Sequence, residues 1–124
     1  MSQRVLIVDD EPNIVLSLEF LLKRAGYEVA VAGDGEAALA AMAAARPELV
    51  ILDVMMPRVD GFEVCRRIQA DPRWQGVKVL ILSAKGRDID VAKGLGVGAD
   101  AYVTKPFATR ELVAKVAELL GRGA

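Results

Sequence analysis

Five side chains carry most of the chemistry open to this 124-residue chain: the carboxylates of Asp9, Asp10 and Asp53, the hydroxyl of Ser83 and the ammonium of Lys105. The chain has no histidine, which removes Ser-His-Asp triads, Cys-His dyads, histidine metal sites and histidine acid–base chemistry together. Cys65 is alone, so no intramolecular disulfide can form. What remains is chemistry on carboxylates, lysine, hydroxyls and a hard metal. Carboxylates held together repel and raise one another's pKa. A divalent cation relieves this, and Mg²⁺ takes oxygen ligands, typically one or two carboxylates with phosphate oxygens and water. A carboxylate can also attack phosphorus to give an aspartyl phosphate. Such a transfer needs mainly positioning and neutralised charge, which Mg²⁺, Lys105 and a hydroxyl donor at Ser83 would supply.

These residues are far apart in the chain, so the fold must gather them. Short apolar runs alternate with segments of helical period. The runs are Val5-Leu6-Ile7-Val8, Val29-Ala30-Val31-Ala32, Leu49-Val50-Ile51-Leu52, Val77-Lys78-Val79-Leu80-Ile81-Leu82 and Ala101-Tyr102-Val103. Three of the five are nearly continuous in Val, Ile and Leu, as in strands covered on both faces. Between them, Ile14, Leu18, Leu21, Leu22 and Ala25 mark a helical stripe that opens near Pro12 and stops at Gly26. An alanine-rich helix is expected over residues 36–46, a third on Phe62, Cys65 and Ile68, and a short fourth over residues 89–95. A fifth lies on Leu112, Val116 and Leu119, with Thr109 as its N-cap. The order βαβαβαβαβα predicts a single α/β domain over residues 1–124, a parallel sheet with helices on both faces.

In such a sheet ligands bind beyond the carboxyl ends of the strands. Asp9 and Asp10 follow the first run, Asp53 the third, Ser83 the fourth and Lys105 the fifth. Each has a plain alternative. An Asp after a strand commonly caps a helix, Asp53 could serve a turn, and Ser83 and Lys105 could be a turn residue and a solvated lysine. These alternatives account for the residues singly, not for their gathering at one edge. Hydrophobic residues make up 53% of the chain, enough for a core, and no apolar run approaches the ~18–20 residues of a membrane span. With no signal-peptide pattern at residues 1–12, the expected location is the cytoplasm. A net charge of −1 offers no basic footprint for nucleic acid.

The stretches VLIVDDEP (5–12), LVILDVMMPRVDGFEVCRRI (49–68), VLILSA (79–84) and GADAYVTKPF (98–107) resemble the receiver domains of two-component response regulators. The resemblance covers essentially the whole chain. It implies a flavodoxin-like, doubly wound (βα)5 fold with strand order 2-1-3-4-5; the chemotaxis member of this family is a standard example of that order. By position it implies that Asp53 accepts a phosphoryl group from a phosphohistidine on a sensor histidine kinase or phosphotransfer protein. Asp10, Asp53 and the backbone carbonyl of Met55 would ligate Mg²⁺, with Asp9 acting through bound water. Lys105 would pair with the carboxylate and then the phosphoryl group, across a cis bond to Pro106. Ser83 would be the switch hydroxyl and Tyr102 the aromatic that turns with it, passing the signal to the face of the fourth and fifth helices. Downstream would lie an output domain or protein, with homodimerisation on activation left open. The chain would be a signalling module rather than an enzyme, catalysing only its own phosphorylation and dephosphorylation. Met55, two places after Asp53, offers no polar group to orient a hydrolytic water, so slow self-dephosphorylation is expected.

Two further readings stand beside this one. A pseudo-receiver used only for docking would not need the five residues intact. An aspartyl-phosphate phosphatase would usually carry a second acid two residues after its nucleophile, where this chain has Met55.

Overall fold

The computed structural model describes residues 3–53, 61–84, 99–105 and 107–121, with backbone alone for Ser83, Ala84 and Lys105. Five parallel strands form one sheet in the order β2-β1-β3-β4-β5: β1 Arg4–Val8, β2 Glu28–Ala32, β3 Leu49–Asp53, β4 Lys78–Ala84 and β5 Ala101–Lys105. Helices α1 Pro12–Arg24, α2 Gly35–Ala44, α3 Gly61–Ala70 and the C-terminal α4 Thr109–Leu119 pack on it, and a short 3-10 turn, Pro72–Trp74, follows α3. The strand order is the one the family resemblance implies, and the layering is the one expected from the alternating pattern. The expected helix over residues 89–95, Met55 and Pro106 lie outside the described residues. Among the described residues no helix is long and apolar enough to cross a membrane.

Strand alternation divides the core in two. Leu6, Val8, Val50, Leu52, Val79 and Ile81 face α2 and α3, where they meet Ala38, Met42, Phe62, Cys65, Ile68 and Trp74. Val5, Ile7, Leu49, Ile51, Leu80 and Leu82 face the other way, onto Leu18 and Leu22 of α1 and Leu112 and Val116 of α4. Both sets are buried. That is why the central runs read as unbroken Val, Ile and Leu. Burial of each such side chain contributes about 1.5–3 kcal/mol.

Several boundaries differ from expectation. Strands β4 and β5 run on through Ser83 and Lys105, because Ser83 pairs with Thr104 and Ala84 with Lys105 in the parallel ladder. Cross-strand pairing, which local composition does not encode, decides where these strands stop. Thr109 is not the cap of α4; it is the first helical residue, and Ala108 precedes it without a side-chain cap bond. Helix α2 ends at Ala44, two residues before Arg46, as Ala45 turns extended ahead of Pro47. Its start is well capped: Asp34 accepts from the Ala37 N–H at 2.8 Å. Helix α4 returns to the start of the sheet, where Gln3 Nε2 donates to the Leu120 carbonyl at 3.2 Å.

Candidate functional site

The acidic residues are set by the register of β1 and β3. These strands pair Val5 with Leu49 and continue to Val8 with Leu52. One step beyond stand Asp9 and Asp53. Adjacent strands lie about 4.8 Å apart, so two carboxylates at matching positions are forced close. Asp53 is the last residue of β3, pairs with Leu82 of β4 and is 1% exposed. Asp9 is 2% exposed, and its N–H donates to the Ala32 carbonyl at 3.2 Å, tying it to the end of β2.

The helix-cap alternative for the acidic pair fails. The residue preceding α1 is Glu11, and its side chain makes no cap bond. Asp9 Oδ1 instead accepts from the Glu11 N–H at 2.9 Å, an i to i+2 turn that fixes the carboxylate. Asp10 is exposed and makes no hydrogen bond or ion pair among the described residues. Pro12 then opens α1, where its missing N–H costs nothing.

One ligand oxygen from each of Asp9, Asp10 and Asp53 falls within 4.8 Å of the others. Two of the three residues are buried, so water screens their charges poorly. A set of hard, anionic oxygen donors fits Mg²⁺ and would be poorly matched to a soft metal. Across the sheet, Ser83 stands one step past Leu82, the partner of Asp53, and Lys105 ends β5 opposite Ala84. The carboxyl ends of β1, β3, β4 and β5 therefore bring the backbones of all five candidates to one edge. Tyr102 pairs with Ile81, two residues before Ser83, and is half exposed on the edge strand.

The sequence stripe on α1 missed a surface feature. Leu18 and Leu22 are buried as read, but Leu16 and Phe20, one turn apart, are 64% and 62% exposed. Their signal was present as apolar residues off the core stripe. Cys65 is buried, as expected of a residue on the apolar side of α3, and burial pushes its thiol up to about 11, with the Asp100 charge adding to the shift. Arg66 and Arg67 are exposed, Arg66 pairing with Glu63. Trp74 is buried in the α2–α3 core.

A family model for the response regulator receiver domain matches residues 5–117. The DNA-binding response regulator MtrA of Mycolicibacterium smegmatis is 47% identical over 122 residues, covering 98% of this chain and 52% of that protein. The chain thus spans about half the length of the curated relatives it matches. The chemotaxis response regulator CheY4 of Vibrio cholerae superposes with a TM-score of 0.90 at 32% identity, over 96% of this chain and 99% of that one. The receiver domain of a sensor histidine kinase from Pseudomonas aeruginosa, solved with a magnesium ion coordinated in its active site cleft, gives a TM-score of 0.87 at 28% identity, over 98% of this chain and 99% of that one.

Proposed function

This chain belongs to the response regulator receiver domain family, and from that premise we propose that Asp53 is its phospho-acceptor. The observation that carries the proposal is the meeting of Asp9, Asp10 and Asp53 within 4.8 Å at the carboxyl edge of the sheet. One Asp53 carboxylate oxygen attacks the phosphorus of a phosphohistidine. The new O–P bond forms as the P–N bond breaks, and the imidazole leaves with the electron pair and takes up a proton. Asp10, Asp53 and the Met55 carbonyl would hold Mg²⁺, with Asp9 acting through bound water, and the ion would supply positive charge to offset the carboxylates and the phosphoryl oxygens. Lys105 adds a second positive charge. Ser83 then donates to a phosphoryl oxygen, and Tyr102 turns in step with it, which biases an existing two-state equilibrium.

The donor histidine lies outside these 124 residues, which contain none. A sensor histidine kinase or phosphotransfer protein fits. Its docking surface includes Leu16 and Phe20 on the helix that starts beside the acidic cluster, a pair whose exposure the core does not explain. The signal passes to an output domain or partner. MtrA is a DNA-binding regulator, and control of such an output is the corresponding role for this domain.

Labelling with acetyl phosphate and Mg²⁺, read by intact mass, tests the assignment. One phosphoryl group per chain is expected, lost in Asp53→Ala. Undiminished labelling of Asp53→Ala would move the acceptor elsewhere. No labelling of the unaltered protein would leave a docking-only receiver.

A further inference from the structure

The strands that carry the candidate residues are not held in register equally well. In β1 and β3, Val5 to Val8 and Leu49 to Leu52 are buried on both faces of the sheet, so a slip would break packing on both sides at once. Strand β5 differs. It is an edge strand with β4 as its neighbour, and among its described side chains Val103 alone is buried, while Tyr102 and Thr104 are exposed. So little burial specifies register weakly. Yet β5 ends at Lys105, which its pairing with Ala84 brings to the carboxyl edge. A one-residue slip would carry the Lys105 backbone about 3.3 Å along that edge and turn the strand's side chains to the opposite face.

Asp100 supplies what the core does not. It stands across from Val79, one step before the first ladder pair, Leu80 with Ala101. Its N–H donates to the Val79 carbonyl at 2.9 Å, and its carboxylate Oδ2 accepts from the Val79 N–H at 2.8 Å. Two bonds to both backbone groups of one residue admit a single register. Any residue with an N–H could make the first; the second needs a short side-chain acceptor. Lys78 Nζ lies 4.0 Å from the other carboxylate oxygen, a partly exposed pair that contributes little. The same arrangement occurs before β3. There Glu48 donates its N–H to the Arg4 carbonyl at 2.8 Å and accepts the Arg4 N–H on its carboxylate. The buried runs of β1 and β3 make that second clamp redundant.

We propose that Asp100 is a positioning residue for phosphoryl transfer: it locks β5 onto β4 and so holds Lys105, at the far end of the strand, beside the acidic cluster. The inference rests on the reading of Lys105 as a source of positive charge for the phosphoryl group on Asp53.

Labelling rates with acetyl phosphate at saturating Mg²⁺ test this in Asp100→Ala, Asp100→Asn, Lys105→Ala, the Asp100→Ala and Lys105→Ala double variant, and Glu48→Ala. The Asp100 side chain is partly exposed, so its variants keep the fold. Asp100→Ala should slow labelling at least about tenfold, since a misplacement of about 1 Å can cost a hundredfold. Its Mg²⁺ affinity, set by β1 and β3, should not change. Asp100→Asn retains an acceptor oxygen and should keep most of the rate. In the double variant Asp100→Ala should add nothing to the loss from Lys105→Ala, because both act through one group. Amide exchange from Tyr102 to Lys105 should speed at least about tenfold in Asp100→Ala and not in Asp100→Asn. Glu48→Ala should label at the unaltered rate. Additive losses, a failure of Asp100→Asn to restore the rate, unchanged exchange in β5, or an equal loss in Glu48→Ala would overturn the proposal. Full labelling of Lys105→Ala would instead remove the role read for Lys105, and this proposal with it.

Discussion

Asp9 and Asp53 occupy matching positions one step past the Val8–Leu52 pair of adjacent parallel strands, so backbone register brings their carboxylates together. Two buried carboxylates at that spacing, with Asp10 beside them, gather negative charge that a divalent cation would offset.

Asp10→Asn should therefore have opposite effects with and without Mg²⁺. In its absence, removing one charge should stabilise the fold by about 1 kcal/mol, the size of a unit-charge repulsion at this distance in a water-like medium. With Mg²⁺ at about a hundred times its dissociation constant, the unaltered protein should gain about 2.7 kcal/mol, and the variant much less. Urea unfolding followed by Trp74 fluorescence reads both, since Trp74 is buried in the α2–α3 core. Equal gains in the two proteins would remove Asp10 from the metal site.

Cys65 gives a pH-dependent test of the core. Its thiol is raised from 9.0 to about 11 in the folded chain, chiefly by burial. The folded state thus holds the proton more tightly than the unfolded state. Its contribution is complete below about pH 9 and is lost as pH rises toward about 11. Over that window the unaltered protein should lose about 3 kcal/mol more than Cys65→Ala does, at 1.36 kcal/mol per pKa unit. Parallel pH profiles for the two would show that the thiolate is not desolvated.

Leu16→Ser with Phe20→Ser should separate docking from chemistry. Both residues are exposed, so stability should change by no more than about 0.5 kcal/mol each. Transfer from a phosphohistidine donor should slow at least about tenfold, while labelling by acetyl phosphate keeps its rate. Equal slowing of both reactions would place the defect at the site, and no slowing of either would free α1 from the donor interface.

Much of this was legible because burial on both faces leaves a plain trace. Runs such as Leu49-Val50-Ile51-Leu52 have no polar alternation to interpret, and the acids that end them mark the edge of the sheet. Residues that depend on neighbours distant in sequence were harder. Thr109 has the chemistry of a cap, but the chain turns helical at Thr109 itself, leaving Ala108 in the cap position. Ser83 and Lys105 belong to strands because they pair with Thr104 and Ala84. The bond from the Val79 N–H to Asp100 has no local signal at all. It forms only after a crossover places β5 beside β4.

The bond from Gln3 to Leu120 joins the residue before β1 to the C-cap of α4, at the opposite end of β1 from Asp9. Gln3 and Leu120 thus stand together at the pole away from the reactive edge. For gene rearrangement this makes the unit a cassette: it can be spliced before, after or inside another coding sequence without stretching the strand ends that hold the acids. A circular permutant needs only a short bridge at that pole.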